Sequence, residues 1–129
     1  MFLCDNKEVA QKKVFVIDDD EAIVEALTLC LSDGGYVVEA MQKPIHIVDR
    51  IAVFTPDVIL LDLFLAGEDG RHIAKALKQD ERTAAIPVIM FSAHPAGRAE
   101  AEELGVAGFL AKPFALDELF RVLRTHVPQ

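Results

Sequence analysis

Residues 14–20, Val-Phe-Val-Ile-Asp-Asp-Asp, decide the fold class of this chain. A run of apolar residues stops abruptly at three consecutive aspartates, without the apolar–polar alternation of a strand that has one wet face. A short, continuous apolar run is typical of a parallel strand that is buried on both faces. The pattern recurs at residues 58–62, Val-Ile-Leu-Leu-Asp, where a second apolar run ends at an aspartate. The two segments together predict a parallel sheet with acidic groups at one edge.

Strand-like and helix-like segments alternate along the rest of the chain. Further strands are predicted at residues 36–38, 87–91 and 109–111. Apolar residues at helical spacing predict five helices: one from Ile23 to Leu31 that stops at Gly34-Gly35, one over residues 45–54, one through Ile73 and Leu77, a weak one over residues 97–104 with Ala101 and Leu104 as its main apolar pair, and one from Leu116 to Leu123. Five strand–helix repeats predict an α/β fold, a doubly wound five-stranded parallel sheet flanked by five helices in a single domain.

Length and charge restrict the classes of function. The chain has 129 residues, which suits one domain, and we expect that domain to span residues 13–129 after a polar lead-in at residues 1–12. The formal net charge of −8 argues against direct nucleic-acid binding and against docking on anionic lipid. No apolar run approaches the ~18 residues of a membrane span, and no secretion signal opens the chain. We therefore expect a cytoplasmic protein in which Cys4 and Cys30 are free thiols.

The predicted strands end in residues that can do chemistry together. These residues are Asp18, Asp19, Asp20, Asp62, Ser92 and Lys112. Ligands of doubly wound sheets bind beyond the carboxyl ends of the strands, so one crevice is expected to hold all of them. Clustered carboxylates repel one another unless a cation neutralises them, and all-oxygen ligands suit Mg²⁺ or Mn²⁺. A lysine and a hydroxyl suit phosphoryl oxygens, and Asp62 as a nucleophile would form an aspartyl phosphate.

These motifs resemble the receiver domains of two-component response regulators, over about residues 13–127. The resemblance rests on five segments: residues 16–20, 56–63, 69–70, 91–93 and 109–114. It implies a flavodoxin-like fold of the receiver type and a phosphoprotein that acts in signal transduction or a phosphorelay. The implied donor is the phosphohistidine of a histidine kinase or of a histidine phosphotransfer protein. The resemblance implies that the protein is a switch and not a turnover enzyme. The switch would control an output protein or domain through the fourth helix, fifth strand and fifth helix.

The resemblance also assigns a role to each site residue. Asp62 would be the phosphoacceptor. The metal would be held by oxygen atoms from both acidic strand ends, namely Asp18, Asp19, Asp62 and the backbone carbonyl of Phe64. Ser92 and Lys112 would bind phosphoryl oxygens. Phe109 would be the aromatic switch residue, which turns inward when Ser92 moves towards the phosphoryl group.

Several positions depart from the usual family residues. Ala66 stands where a proline is common, so the loop after Asp62 is expected to be less rigid. Phe64 and His94 stand two residues after Asp62 and Ser92, where side chains border the phosphoryl group. Phe64 could hinder an attacking water and lengthen the life of the phosphoryl group, whereas His94 could position that water. We expect slow self-dephosphorylation.

Other functions fit parts of the same pattern. A haloacid-dehalogenase-like small-molecule phosphatase would need a pair of acids two residues apart, and Asp18 with Asp20 is the only candidate pair. A flavodoxin-like FMN-binding module would need a Ser/Thr/Gly-rich phosphate loop, which does not follow the first strand. A degenerate receiver would lack part of the acid, hydroxyl and lysine set. We expect a receiver without an attached output domain, acting alone, in a relay or excised from a larger regulator, and a homodimer is compatible with the sequence.

Overall fold

The computed structural model describes residues 11–65 and 68–127. Its main sheet has five parallel strands: β1 (Lys13–Ile17), β2 (Val37–Met41), β3 (Val58–Asp62), β4 (Val88–Ser92) and β5 (Gly108–Ala111). Their order across the sheet is β2-β1-β3-β4-β5. The winding of the chain therefore reverses between β1 and β3, and such switch points are where doubly wound sheets bind their ligands.

Five helices connect and flank these strands: α1 (Glu21–Asp33), α2 (Ile47–Phe54), α3 (Gly70–Gln79), α4 (Gly97–Leu104) and α5 (Leu116–His126). The predicted fold class is confirmed. The bounds differ at some ends, since β2 continues to Met41 and α2 begins at Ile47. A short antiparallel hairpin, Phe64–Leu65 with Glu68–Asp69, was not predicted.

The apolar runs are continuous because the central strands are covered on both faces. In β1, Phe15 and Ile17 belong to one core cluster, whereas the alternate residues Val14 and Val16 belong to the other. All residues of β3 are buried. One face of the sheet packs on α2, α3 and α4 and the other on α1 and α5, so side chains that alternate along a strand all enter apolar surroundings.

Helix ends place the loops at the carboxyl edge of the sheet. The carboxylate of Asp20 accepts hydrogen bonds from the N–H of Ala22 at 3.0 Å and of Ile23 at 3.4 Å, and so caps α1. The N-cap residue of α4, Ala96, makes no side-chain capping bond, and the same holds for His46 at the start of α2 and Ala115 at the start of α5. Gly97 and Ala101 are the buried residues of α4, whereas Leu104, the second member of the predicted apolar pair, is only partly buried.

Some expectations concern residues outside the described part of the chain. Cys4, Ala66 and most of the lead-in at residues 1–12 lie there, and the predicted domain bounds stay a prediction. Cys30 is a free thiol, as expected. Among the helices described, none combines the length and the apolar character needed to cross a lipid bilayer. The cytoplasmic location stays a prediction.

Candidate functional site

Three carboxylates meet where β1 and β3 end. Ile17 pairs with Leu61 in the parallel register, so the residues that follow each of them emerge at the same edge. Asp18, Asp19 and Asp62 each offer an oxygen atom, and these atoms all lie within 4.8 Å of one another. Asp18 is 0% exposed and Asp62 is 6% exposed, while Asp19 is exposed. Two of the three carboxylates are therefore almost shielded from water.

Lys112 supplies the positive charge of this cluster. Its Nζ lies 3.1 Å from Oδ2 of Asp18 and 3.6 Å from Oδ2 of Asp62. β4 separates β5 from β3, so the lysine chain crosses a strand to reach the acids, with Nζ 4.7 Å from the centroid of the Phe91 ring. One ammonium group thus faces three carboxylates.

The pKa of Asp62 reflects the excess negative charge that Lys112 leaves in the cluster. Burial, followed by the charge of Asp18, raises the pKa of Asp62 from 3.8 to about 6, although Lys112 and the N–H of Phe64 act in the opposite direction. A divalent cation would remove this repulsion. Carboxylate oxygens at this spacing fit a hard ion such as Mg²⁺ by their donor chemistry.

Ser92 completes the cleft from the end of β4. Its side chain is 2% exposed, and Oγ accepts a hydrogen bond from the N–H of His94 at 2.9 Å. The hydroxyl proton is therefore still available for another acceptor. An open cleft of about 420 Å³ is lined by Asp62, Phe64, Ser92, Ala93, His94, Pro95 and Lys112.

Phe64 and His94 form one wall of this cleft. Their ring centroids are 5.2 Å apart, and Phe64 is 45% exposed. His94 Nδ1 accepts a hydrogen bond from the N–H of Ala96 at 3.1 Å, so the neutral imidazole carries its proton on Nε2. In this tautomer Nε2 is a donor.

Phe109 lies next to the cleft and does not line it. Its half-buried ring packs against the core cluster beneath α2, α3 and α4. The guanidinium carbon of Arg98 lies 5.0 Å from the ring centroid. The structure thus gathers Asp18, Asp19, Asp62, Ser92 and Lys112 in one place and puts Phe109 beside them. The roles predicted for these residues, and for the carbonyl of Phe64, stay predictions.

Two residues that shape the site were given no role by the sequence analysis. Gly70 opens α3 directly against the backbone at the end of β3: its N–H donates to the carbonyl of Leu63 at 2.9 Å. A Cβ at Gly70 would lie 2.7 Å from that oxygen and would also collide with the carbonyl of Asp62. Arg71 is the second, and it pairs with Asp69 and Glu100. The Asp69-Gly70 motif was the only sequence signal for this contact.

The fold and the site together define the class of this protein, a doubly wound α/β domain with an acidic, lysine-paired cleft at its switch point. A family model described as the response regulator receiver domain matches residues 14–124. The chain belongs to this family of two-component signalling domains.

Known proteins agree with this assignment. The response regulator MprA of Mycobacterium sp. (strain KMS) is 33% identical over 112 residues, which cover 87% of this chain and 49% of that protein. The chain thus spans about half the length of the curated relatives it matches. The chemotaxis protein CheY4 of Vibrio cholerae matches with a TM-score of 0.83 at 26% identity, over 92% of this chain and 100% of that one.

A third comparison shows the fold alone. The receiver domain of the sensor histidine kinase PA1611 from Pseudomonas aeruginosa PAO1 has a TM-score of 0.83 at 24% identity, over 93% of this chain and 100% of that one. That structure has a magnesium ion coordinated in the active site cleft.

Proposed function

We propose that Asp62 is a phosphoacceptor, which takes a phosphoryl group from the phosphohistidine of a histidine kinase or histidine phosphotransfer protein. The observation that carries the proposal is the charge arrangement at the carboxyl edge of the sheet. Asp18, Asp19 and Asp62 converge within 4.8 Å, and Lys112 Nζ lies 3.1 Å from one of them and 3.6 Å from another. Such a cluster suits a dianionic group only when a metal ion and a lysine share its charge.

Mg²⁺, or Mn²⁺ in its place, would be held by Asp18, Asp19, Asp62 and the backbone carbonyl of Phe64. When bound, the ion would neutralise the charge of the acids and of the phosphoryl oxygens. The magnesium ion in the Pseudomonas receiver domain is consistent with this choice of cation.

The transfer step uses the ionised form of Asp62. One carboxylate oxygen attacks phosphorus, an O–P bond forms, and the N–P bond to the donor imidazole breaks with its electron pair left on nitrogen. The pKa of Asp62 is about 6, so at pH 7 most of the protein carries the nucleophilic form. The hydroxyl of Ser92 would donate to one phosphoryl oxygen, and Lys112 would pair with another.

The phosphodonor must reach Asp62 from outside the domain. An apolar groove of about 400 Å³ runs from the cleft residue Lys112 along α1, and its lining includes Ile23, Ala26, Leu27, Phe114 and Leu116. We infer that an apolar helix face of the donor protein packs in this groove, because it would then hold its phosphohistidine next to the cleft. This placement also leaves the α4 side of the molecule free for an output partner.

The response to phosphorylation would be a shift between two packings. A phosphoryl group adds up to two negative charges and strong acceptor oxygens, which draw Ser92 and Lys112 towards it. The loops after β4 and β5 carry these two residues, so α4, β5 and α5 would change position and control the output partner. The change needs contacts that differ between the two states, and Phe109 would provide one of them.

A small-molecule phosphatase has less support from the geometry. Its only candidate acid pair was Asp18 with Asp20, and Oδ1 of Asp20 accepts hydrogen bonds from the first amides of α1. We therefore propose a switch that is phosphorylated and slowly dephosphorylated, and not an enzyme that turns over phosphate esters.

The test is direct phosphorylation by a small acyl phosphate. The protein is incubated with acetyl phosphate and Mg²⁺, and intact mass spectrometry is expected to show one added phosphoryl group. Asp62→Asn and a chelator should each abolish the addition, whereas Asp33→Asn, a matched change at the exposed end of α1, should preserve it. Addition that survives in Asp62→Asn would refute the proposal. Sustained hydrolysis of phosphate esters would favour the phosphatase.

A further inference from the structure

Gly97, the first residue of α4, lies between the two side chains that would form the switch. A Cβ at this position would be 3.0 Å from Cβ of Ser92 and 3.0 Å from Cζ of Phe109. Separations this short are tighter than nine in ten real Cβ contacts. Ser92 and the ring of Phe109 therefore border one small space, and it is free of side-chain atoms because residue 97 is a glycine.

Neither the backbone conformation nor the backbone hydrogen bond of residue 97 requires a glycine. Gly97 is helical, and alanine is favoured over glycine in a helix by up to about 1 kcal/mol. Its N–H donates to the carbonyl of His94 at 3.0 Å, a bond that any residue except proline could make. The space beside Ser92 and Phe109 is what an alanine would fill.

Arg98, the next residue in α4, also contacts the ring of Phe109. Arg98 places its guanidinium carbon 5.0 Å from the centroid of Phe109, which is within the range of a cation–π contact. Two consecutive residues in the first turn of α4 thus contact Phe109, and the first of them also faces Ser92. Because α4 buries little else than Gly97 and Ala101, this first turn is well placed to follow the ring.

We propose that Gly97 is a positioning residue that couples Ser92 to Phe109 and to α4. The inference rests on the proposed function, in which Ser92 moves towards the phosphoryl group on Asp62. As Ser92 withdraws, the space beside Gly97 enlarges, and the ring of Phe109 and the first turn of α4 close into it. A methyl group at position 97 would occupy that space in both states, so the ring could not follow the hydroxyl.

The test compares Gly97→Ala with Gly108→Ala. Gly108 neighbours Phe109 in β5, but a Cβ there would find its nearest atom at 3.4 Å, an ordinary contact. Each protein is phosphorylated with acetyl phosphate and Mg²⁺. Intact mass gives the extent of phosphorylation, and amide chemical shifts in ¹H–¹⁵N NMR spectra give the response of α4 and β5.

Gly97→Ala should be phosphorylated to the wild-type extent, but its shift changes in α4 and at Phe109 should fall about twofold or more, in the range of coupling effects from packed contacts. Gly108→Ala should keep the full response. A wild-type response in Gly97→Ala would overturn the inference, whereas no phosphorylation of the wild type would overturn the proposed function instead. If Gly97→Ala does not fold, Gly97→Ala combined with Ser92→Gly and Phe109→Ala removes both crowding groups; recovery of folding supports the two contacts, and continued failure contradicts them.

Discussion

Three consecutive aspartates at the end of β1 have three different environments. Asp18 is buried and binds Lys112, Asp19 is exposed but offers an oxygen to the carboxylate cluster, and Asp20 caps α1. The cause is local geometry, because the chain leaves a strand and enters a helix within these positions. Successive side chains in such a turn point in different directions. Adjacent residues of one type can therefore serve a buried ion pair, an exposed position in the carboxylate cluster and a helix cap.

Phe64 allows a prediction at the scale of one residue. Its ring, with that of His94, screens the cleft beside Asp62, so the approach of water to a phosphoryl group should be hindered. Phe64→Asn replaces the ring with an amide that can hold water. We expect dephosphorylation to become faster by roughly a factor of ten, which corresponds to about 1.4 kcal/mol in the barrier.

The measurement for Phe64 is the decay of the phosphorylated mass after the donor is removed. Leu29→Asn makes the same kind of change at an exposed residue of α1 far from Asp62 and should leave the decay unchanged. An unchanged decay in Phe64→Asn would show that the ring does not screen the phosphoryl group.

At the scale of elements, an ion pair adds to the apolar contacts that hold α4 to its neighbours. Arg71, in the first turn of α3, donates to both carboxylate oxygens of Asp69 and places NH1 2.7 Å from Oε2 of Glu100 in α4. Arg71 lowers the pKa of Asp69 to about 2, so the pair stays charged in ordinary buffers. The segment after Asp62 and the helix α4 are thus joined through one guanidinium group.

Glu100→Gln should loosen α4 without unfolding the domain. Amides of α4 are expected to exchange with deuterium roughly a few-fold faster, while those of β1 and β3 keep wild-type protection, because the sheet is a separate and more stable unit. High salt should reduce the difference, since the groups are partly exposed. Hydrogen–deuterium exchange followed by mass spectrometry measures this.

The matched control for this ion pair is Glu102→Gln. It removes an exposed charge from the same helix, at a position for which the described contacts include no ion pair. If amide exchange in α4 became equally faster in both variants, the net charge of the helix, and not the contact with Arg71, would determine the stability of α4.

At the scale of the whole molecule, the acidic cluster makes stability depend on pH. The folded-state pKa of Asp62 is raised to about 6, above its ordinary 3.8, so the folded protein binds more protons than the unfolded chain between these values. Stability therefore falls as pH rises through this window. The ionised carboxylate of Asp62 thus lowers the free energy of unfolding at neutral pH.

Asp62→Asn should therefore be more stable than the wild type at pH 8 without divalent metal, by on the order of 2 kcal/mol. The difference should shrink as the pH approaches 4, where the wild-type carboxyl group is neutral. Urea unfolding in the presence of a chelator measures it at each pH. Asp33→Asn should show no comparable gain, and a wild type that is as stable as Asp62→Asn at pH 8 would contradict the raised pKa.

Much of the fold and part of the site follow from local sequence. Continuous apolar runs require burial on both faces, and this requirement alone leads to a parallel sheet covered by helices. Strands that end in acids place those acids at one edge. Asp62, Asp18, Asp19, Ser92 and Lys112 could be identified in this way, because each directly follows or ends an apolar segment. The hairpin after Asp62 was not predictable, since its two-residue strands carry no periodic pattern.

Tertiary structure alone decided which of these groups touch. Asp18 and Lys112 are 94 positions apart in the chain, and their contact exists because the strand order places β1 and β3 side by side within reach of the loop after β5. The space beside Gly97 and the close approach of Gly70 to Asp62 likewise depend on how separate elements pack. Local sequence determines which faces must be buried, whereas distances between remote side chains depend on the packing of the whole chain, so no local pattern encodes them.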